Sequence, residues 1–288
     1  MAKIDIFSWL RLRQIRFMTK VFRVVSRERR IGKLLSVLGK SEMCSIALVG
    51  FNRVFSSLEE AHRCAKSYGF ASHEHPSNVQ THLWLNERAR PSDYPVLFHL
   101  RAILGERTSI LDIGGSAGNL FYCYAKYLSL SDGMEWVVYD VPQNVETGRQ
   151  IAEKRQERRL HFIDQLSERR HADVVIISGS LHYFEASPPE LMRNLDRPPQ
   201  HVFINRTPVI DGPSAVTIQD AESYVALFPA RLTSRGVLLA AMDAANYELA
   251  DEWMVPELRL VVPFHPEASA PAYSGFYFRL RAGSSETI

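Results

Sequence analysis

Residues Thr108-Ser109-Ile110-Leu111-Asp112-Ile113-Gly114-Gly115-Ser116-Ala117-Gly118-Asn119-Leu120-Phe121 read as a short apolar strand that runs through a glycine turn into a helix. Closely spaced glycines let a backbone turn tightly and approach a ligand, which in open α/β sheets lies where the strand order reverses. The pattern repeats downstream. Apolar runs at Trp136–Tyr139, Leu160–Ile163, Asp173–Ile177 and His201–Ile204 alternate with helical stretches at Ala117–Leu128, Gln143–Arg158 and Ser187–Leu195. After a longer excursion from Val209 to Leu232, Arg235–Ala245 is again helical. Strands apolar on both faces and separated by helices imply a parallel sheet covered on both sides. Tyr247–Trp253 and Tyr273–Leu280 have no helix between them and predict a closing antiparallel pair. The expected fold is α/β, a doubly wound, mostly parallel seven-stranded sheet.

Upstream, Tyr94–Leu104 predicts a helix ended by Gly105, and residues 57–67 a short helix capped by Ser56 or Ser57. In residues 1–40, Ile6, Leu10, Phe17, Val21 and Val24 recur at helical spacing between basic side chains. The expected division is a basic helix and helical cap over residues 1–92, then a sheet domain over residues 93–288.

The glycine turn admits two ligand chemistries. A dinucleotide fingerprint needs Gly-x-Gly-x-x-Gly; aligned on Gly115 and Gly118, its first position holds Ile113. Asp112 decides further. A carboxylate is ill placed beside a pyrophosphate and suits a ligand carrying an ammonium and a sulfonium, such as S-adenosylmethionine. Asp140, at the tip of the second strand in Val137-Val138-Tyr139-Asp140-Val141-Pro142, is placed to accept both ribose hydroxyls.

Asp-x-Gly-x-x-x-Gly over Asp112–Gly118 resembles motif I of class I S-adenosylmethionine-dependent methyltransferases, with Ser116 where that family usually has a third glycine. The resemblance implies a Rossmann-like methyltransferase fold with the donor held by Asp112, Gly114, Gly115, Ser116 and Gly118. Asp140-Val141-Pro142 is similar to the Asp-Leu-Pro segment of small-molecule O-methyltransferases, which puts Asp140 and Val141 at the ribose. Asp164, ending the third strand, falls where such enzymes contact the adenine amino group. Ser178 and Gly179, ending the fourth, look like the motif that lines the reacting methyl. Leu181-His182 is similar to the Leu-His-Asp-Trp segment whose histidine is the general base in plant-type O-methyltransferases, although this chain continues with Tyr183-Phe184. An imidazole suits proton transfer near neutral pH. Tyr94 is a further candidate to reach the donor.

The likeness spans about residues 94–207, and residues 233–281 by topology. Gly-Gly-Ser-x-Gly, Asn205-Arg206-Thr207-Pro208 and Tyr273-Ser274-Gly275-Phe276-Tyr277-Phe278-Arg279 resemble a poorly characterised bacterial methyltransferase family often found near polysaccharide biosynthesis genes. What this implies is methyl transfer to a hydroxyl of a small molecule or glycan precursor. Two other readings stay open: a nucleotide-dependent oxidoreductase on a similar sheet, and a non-catalytic methyltransferase-like binding protein.

Composition narrows the setting. With 46% apolar and 23% charged residues, the 288-residue chain sits near globular averages, which excludes disordered and fibrous classes. Cys44, Cys64 and Cys123 share no metal-ligand spacing and, being odd in number, argue against a disulfide framework and for a cytoplasmic protein. No metal is expected, since His73-Glu74-His75 lacks an indicated third ligand. No run approaches the roughly 20 apolar residues of a membrane span, and Met1–Gln14 lacks a secretory pattern.

Eleven basic residues against Asp5 and Glu28 give residues 1–40 a charge of +9 and leave −7 on the remainder. Charge this local argues against nucleic acid. It offers instead a peripheral contact with the inner membrane face, through Phe7, Trp9, Phe17 and Phe22, or a contact with the acidic body or a second subunit of a homodimer. Acceptor specificity is expected from the cap (about 41–92), the excursion Val209–Leu232 and the loop Pro256–Ala272.

Overall fold

The computed structural model describes residues 51–67, 87–221, 226–262 and 265–282. The basic segment 1–40, for which a membrane or a subunit contact was expected, and His73-Glu74-His75 lie outside the described residues, as does most of the expected cap.

In chain order the elements are β1 (Phe51–Phe55), α1 (Leu58–Ser67), α2 (Asp93–Ile103), β2 (Ser109–Ile113), α3 (Asn119–Tyr124) and β3 (Glu135–Tyr139). There follow α4 (Pro142–Lys154), β4 (Leu160–Ile163), β5 (Val174–Ser178), α5 (Pro188–Leu191), β6 (His201–Thr207) and β7 (Val209–Ile210). The chain continues with β8 (Ala215–Ala221), β9 (Ala226–Ser234), α6 (Arg235–Ala244), β10 (Tyr247–Val255) and β11 (Tyr273–Leu280).

Seven strands form the main sheet in the order β10-β11-β6-β5-β2-β3-β4. Pairing is parallel from β4 through β6, and β11 runs antiparallel to both β6 and β10. This is the doubly wound, mostly parallel sheet expected, with its antiparallel pair at one edge. The chain moves outward from β2 to β3 and β4, then returns across β2 to β5. The crevice at the carboxyl ends of β2 and β5 is therefore the switch point.

The period-two alternation of strands divides the interior into two layers. Ile110, Trp136, Val138, Val174, Ile176 and Phe203 pack under α2, α3 and α4. Leu111, Ile113, Val175, Ile177, Val202 and Ile204 pack against α5 and α6. Two expected helices are shorter than their apolar patterns. α3 stops at Tyr124, where Lys126 bonds back to Cys123 and Tyr127 to Tyr124 in i−3 turns, and Ser187–Leu195 yields only α5.

The excursion Val209–Leu232 is not a loop. With Phe51–Phe55 it makes a second sheet in the order β1-β8-β9-β7. Phe228, Ala230 and Leu232 alternate inward along β9, and α1 closes one side through Ala61 and Ala65 against Phe55 and Ile218. Ser57 Oγ caps α1 by accepting the Glu60 N–H at 3.1 Å. The described part of the expected helical cap thus contains a strand. Its five residues signal nothing locally, because the partner β8 lies some 160 residues further along the chain. Among the described residues no helix is long and apolar enough to cross a membrane.

Candidate functional site

A cavity of about 520 Å³ opens at the carboxyl ends of β2, β3, β4 and β5. Its floor is the glycine turn, which is pinned to the sheet where the Gly114 N–H donates to the Tyr139 carbonyl at 2.7 Å. Gly114 has φ +75°, and a Cβ there would lie 2.3 Å from that of Ser180. Ser180 must stay close, because its hydroxyl donates to the Ile113 carbonyl at 2.6 Å. Ser116 adopts φ +54°, a left-handed conformation that disfavours side chains. The hydrogen bond that holds it there runs from its N–H to Asp140 Oδ2 at 2.8 Å.

Asp140 is already engaged. Its Oδ1 accepts the Val141 N–H at 2.8 Å and Asn144 Nδ2 at 2.7 Å. Together with Ser116 that makes three donors, and burial still holds its pKa above the usual carboxylate value. A carboxylate has about four acceptor positions. The expected grip on two ribose hydroxyls therefore competes with the bonds that shape the turn. Val141 and the exposed Asp164 line the same cavity, as do Gly114, Gly115, Ser116, Ser178, Gly179 and His182.

Asp112 and Gly118 do not. Strand alternation places Asp112 on the face of Ile110, so its side chain enters the core and lies behind Gly115, whose Cβ would meet Asp112 Oδ2 at 2.5 Å. Oδ2 accepts Trp136 Nε1 at 3.2 Å, and Oδ1 has no partner. Burial pushes this carboxyl up to about 7; the Trp136 hydrogen bond opposes the shift and the nearby Asp140 charge adds to it. Gly118, at φ +81°, lets α3 start against Leu160, which a Cβ would approach to 2.7 Å.

The Asp112 environment has a consequence for stability. A carboxyl whose folded pKa lies above its unfolded value binds more protons folded than unfolded between about pH 4 and pH 7. Stability falls as pH rises through that window and levels off above it. Asp112→Asn removes the slope. We expect it to unfold at higher denaturant than the parent at pH 8, by roughly 1–2 kcal/mol, because its amide still leaves a buried polar group incompletely bonded. The difference should disappear near pH 4. Equal pH profiles for the two proteins would place the ionised carboxylate in a solvated setting instead.

Among the described residues, four buried polar atoms around the turn have no hydrogen-bond partner: Asp112 Oδ1, Ser116 Oγ, Asn119 Oδ1 and Asn144 Oδ1. The Asn144 assignment is fixed, since its Nδ2 donates to Asp140. Asp112 lies behind the turn; the other three line the cavity, two of them amide oxygens that only accept and the third a hydroxyl that can accept. Buried acceptors are costly when unmade, so this cradle suits a ligand rich in N–H and O–H donors and positive charge. A pyrophosphate brings the opposite.

At the other end, β5 leads through Ser178-Gly179-Ser180 into a 3₁₀ turn, Leu181–Tyr183. His182 is 3% exposed, tilts over Tyr183 with ring centroids 4.0 Å apart, and meets Tyr273 edge-on at 6.2 Å. It is both packed and on the cavity wall. Tyr94 is not: it is 55% exposed and rests against Tyr127.

Arg206 was visible only as part of a quoted segment, yet it organises this end. It is the penultimate residue of β6, at φ +52°, is 4% exposed, and its guanidinium meets Asp93, Ser92 Oγ at 3.0 Å and Ser178 Oγ at 3.4 Å. Asp93, wholly buried, also accepts Tyr124 Oη at 2.7 Å and the Arg90 N–H at 2.8 Å. The cluster ties the start of α2 to the ends of β5 and β6. Arg90, Gln219, Phe228, Leu258 and Tyr273 also reach the cavity, from four separate chain segments. No group of three metal-ligating side chains occurs among the described residues.

No protein-family model matches the chain, and no curated protein matches it in sequence. Among solved structures it is similar to the Burkholderia thailandensis 1,6-didemethyltoxoflavin-N1-methyltransferase with bound 1,6-didemethyltoxoflavin and S-adenosylhomocysteine. That match has 20% identity and a TM-score of 0.49 over 81% of this chain and 94% of that one. It is also similar to the magnesium protoporphyrin IX methyltransferase of Synechocystis PCC 6803 with bound S-adenosylmethionine, at 15% identity and TM-score 0.43 over 78% and 92%. A third similar structure is the [4+2]-cyclase SpnF, at 14% identity and TM-score 0.41 over 66% and 80%.

Proposed function

We propose that the protein is an S-adenosylmethionine-dependent methyltransferase acting on a small molecule. The observation that carries this reading is the cluster of unpartnered buried acceptors around the glycine turn. Asn119, Asn144 and the hydroxyl of Ser116 would take hydrogen bonds from the donor, with Asp140 at the ribose and Asp164 at the adenine. Asp112 would act from behind the turn, as a negative charge beneath a positive ligand. The donor supplies, when bound, a methyl group on a sulfonium. The chain's part is to align the acceptor and exclude water.

The finer reading is O-methylation, with His182 taking the proton of an acceptor hydroxyl. Its support is the position of the imidazole on the cavity wall beside Ser178 and Gly179. Calorimetry tests the donor: S-adenosylmethionine and S-adenosylhomocysteine bind, and NAD does not. Binding of NAD alone would turn the reading to an oxidoreductase. Donor binding with no turnover over a broad acceptor panel would leave a non-catalytic binding protein.

Asp140→Ala should weaken S-adenosylhomocysteine binding by about 1.5–3 kcal/mol, the cost of removing hydrogen bonds to a charged acceptor. Asp140→Asn keeps an acceptor for the Ser116 N–H and should lose less. If a folded Asp140→Ala protein keeps the parent's dissociation constant, Asp140 serves the turn alone.

A further inference from the structure

We propose that the acceptor is a neutral, flat, conjugated ring system carrying a hydrogen-bond-accepting oxygen, seated against the wall that Tyr183, Phe228 and Tyr273 form. This rests on the methyltransferase reading and names the substrate class of the same cavity. Three features argue it. The wall facing the donor cradle is aromatic: Tyr183 tilts over His182 on one side and meets Phe228, at 5.8 Å and 60°, on the other. Phe228 and Tyr273 are 3% and 4% exposed, so both are held by packing before any ligand arrives. Rigid aromatic faces of this kind reward a planar partner.

The polar groups at this end are few and mostly committed. Gln219 Oε1 accepts the Tyr183 hydroxyl at 2.5 Å, which leaves the Gln219 amide N–H groups as the donors this side chain offers to the cavity. They suit a carbonyl or ether oxygen. A sugar would bury several hydroxyls against a wall whose described polar groups are mostly engaged with one another, and each unmet hydroxyl carries a desolvation cost. Of the two acceptors that the sequence resemblance implied, a small molecule or a glycan precursor, this favours the small molecule.

Charge completes the argument. Two arginines line the cavity: Arg206 is matched by the buried Asp93 and lies 4.0 Å from Glu257, and Arg90 lies in the field of the same two carboxylates, so neither calls for an anion. The carboxylates lining the cavity, Asp140 and Asp164, stand at the far end on β3 and β4. Among the described residues, nothing that lines the aromatic end calls for a cation. Gln219 and Phe228 come from the second sheet and take no part in the glycine turn. They can be altered without touching the donor cradle.

The test uses the full chain saturated with S-adenosylhomocysteine. A panel of hydroxylated fused-ring carbonyl compounds, with 7-hydroxycoumarin and 5-hydroxyflavone as first members, is titrated by fluorescence. Methyl α-D-glucopyranoside is followed by saturation-transfer NMR. The expected result is saturable ring binding, absent for the glucoside. Phe228→Ala should weaken it roughly tenfold or more, and Gln219→Leu should weaken it for carbonyl-bearing members, both with unchanged affinity for S-adenosylhomocysteine. Phe228→Leu, which preserves the apolar fill, serves if the alanine variant does not fold. Glucoside binding without ring binding, or ring affinity indifferent to Phe228 and Gln219, overturns the proposal. Failure of the unaltered protein to bind S-adenosylhomocysteine removes the donor reading instead.

Discussion

Arg206→Ala is expected to destabilise the protein by about 3–5 kcal/mol, the range found when one partner of a buried ion pair is removed. The magnitude follows from what is left behind. Asp93 is wholly buried and would keep only the Tyr124 hydroxyl and the Arg90 N–H for a full negative charge. Ser92 Oγ and Ser178 Oγ would each lose a donor as well. Lysine should not rescue, since an ammonium cannot reproduce the guanidinium fork. The paired change Arg206→Met with Asp93→Asn should recover a large part of the loss, because it removes both charges together. Equilibrium denaturation of the three variants decides. A single Arg206→Ala protein within 1 kcal/mol of the parent would mean that solvent enters the cluster.

His182→Ala should lower turnover roughly 10²- to 10⁴-fold if His182 removes the proton of an acceptor hydroxyl. The affinity for S-adenosylhomocysteine should hardly change, since the donor cradle lies on the glycine turn and β3. The ring also packs on Tyr183 and Tyr273, so a rate loss alone does not separate chemistry from packing. Two further readouts do. His182→Phe keeps the aromatic fill and should be as slow as alanine. An acceptor whose hydroxyl ionises well below neutrality needs no base and should be methylated by both variants at near-parental rates. Near-normal turnover of ordinary acceptors by His182→Ala would return the residue to packing.

The main sheet was legible because each parallel strand is a short, mostly apolar run closed by turn residues. Ser109–Ile113 and Val174–Ile177 are buried at every position. Their alternation with helices left one architecture. The same alternation carried a detail that the reading of the turn passed over: two residues after Ile110, Asp112 must share its face and so points into the core. The second sheet was illegible for a different reason. Phe51–Phe55 finds its partner only in β8, and Pro229 within β9 argues locally against a strand. Of the site, the donor end could be read because its residues follow one another along the chain. The aromatic end is assembled from the turn after β5, the hairpin β8–β9, Leu258 and Tyr273, and no local pattern joins them. Arg206 could have been suspected, as an arginine that follows the apolar run Val202–Ile204. Its counter-charge sits at the start of a helix more than a hundred residues earlier.

The place of β11 bears on how the chain is made. It lies between β6 and β10 and is hydrogen-bonded to both, although it is synthesised after either. While the ribosome is still making residues 256–272, β6 presents a bare apolar edge, and β10 has nothing to dock on. An open edge is a template for pairing with other chains, and partly folded species of this kind aggregate readily. The nascent polypeptide should therefore engage holdase chaperones until Tyr273–Leu280 emerges. A chain stopped before Tyr273 should be recovered in the insoluble fraction, with its glycine turn intact in sequence but without a finished sheet beneath it.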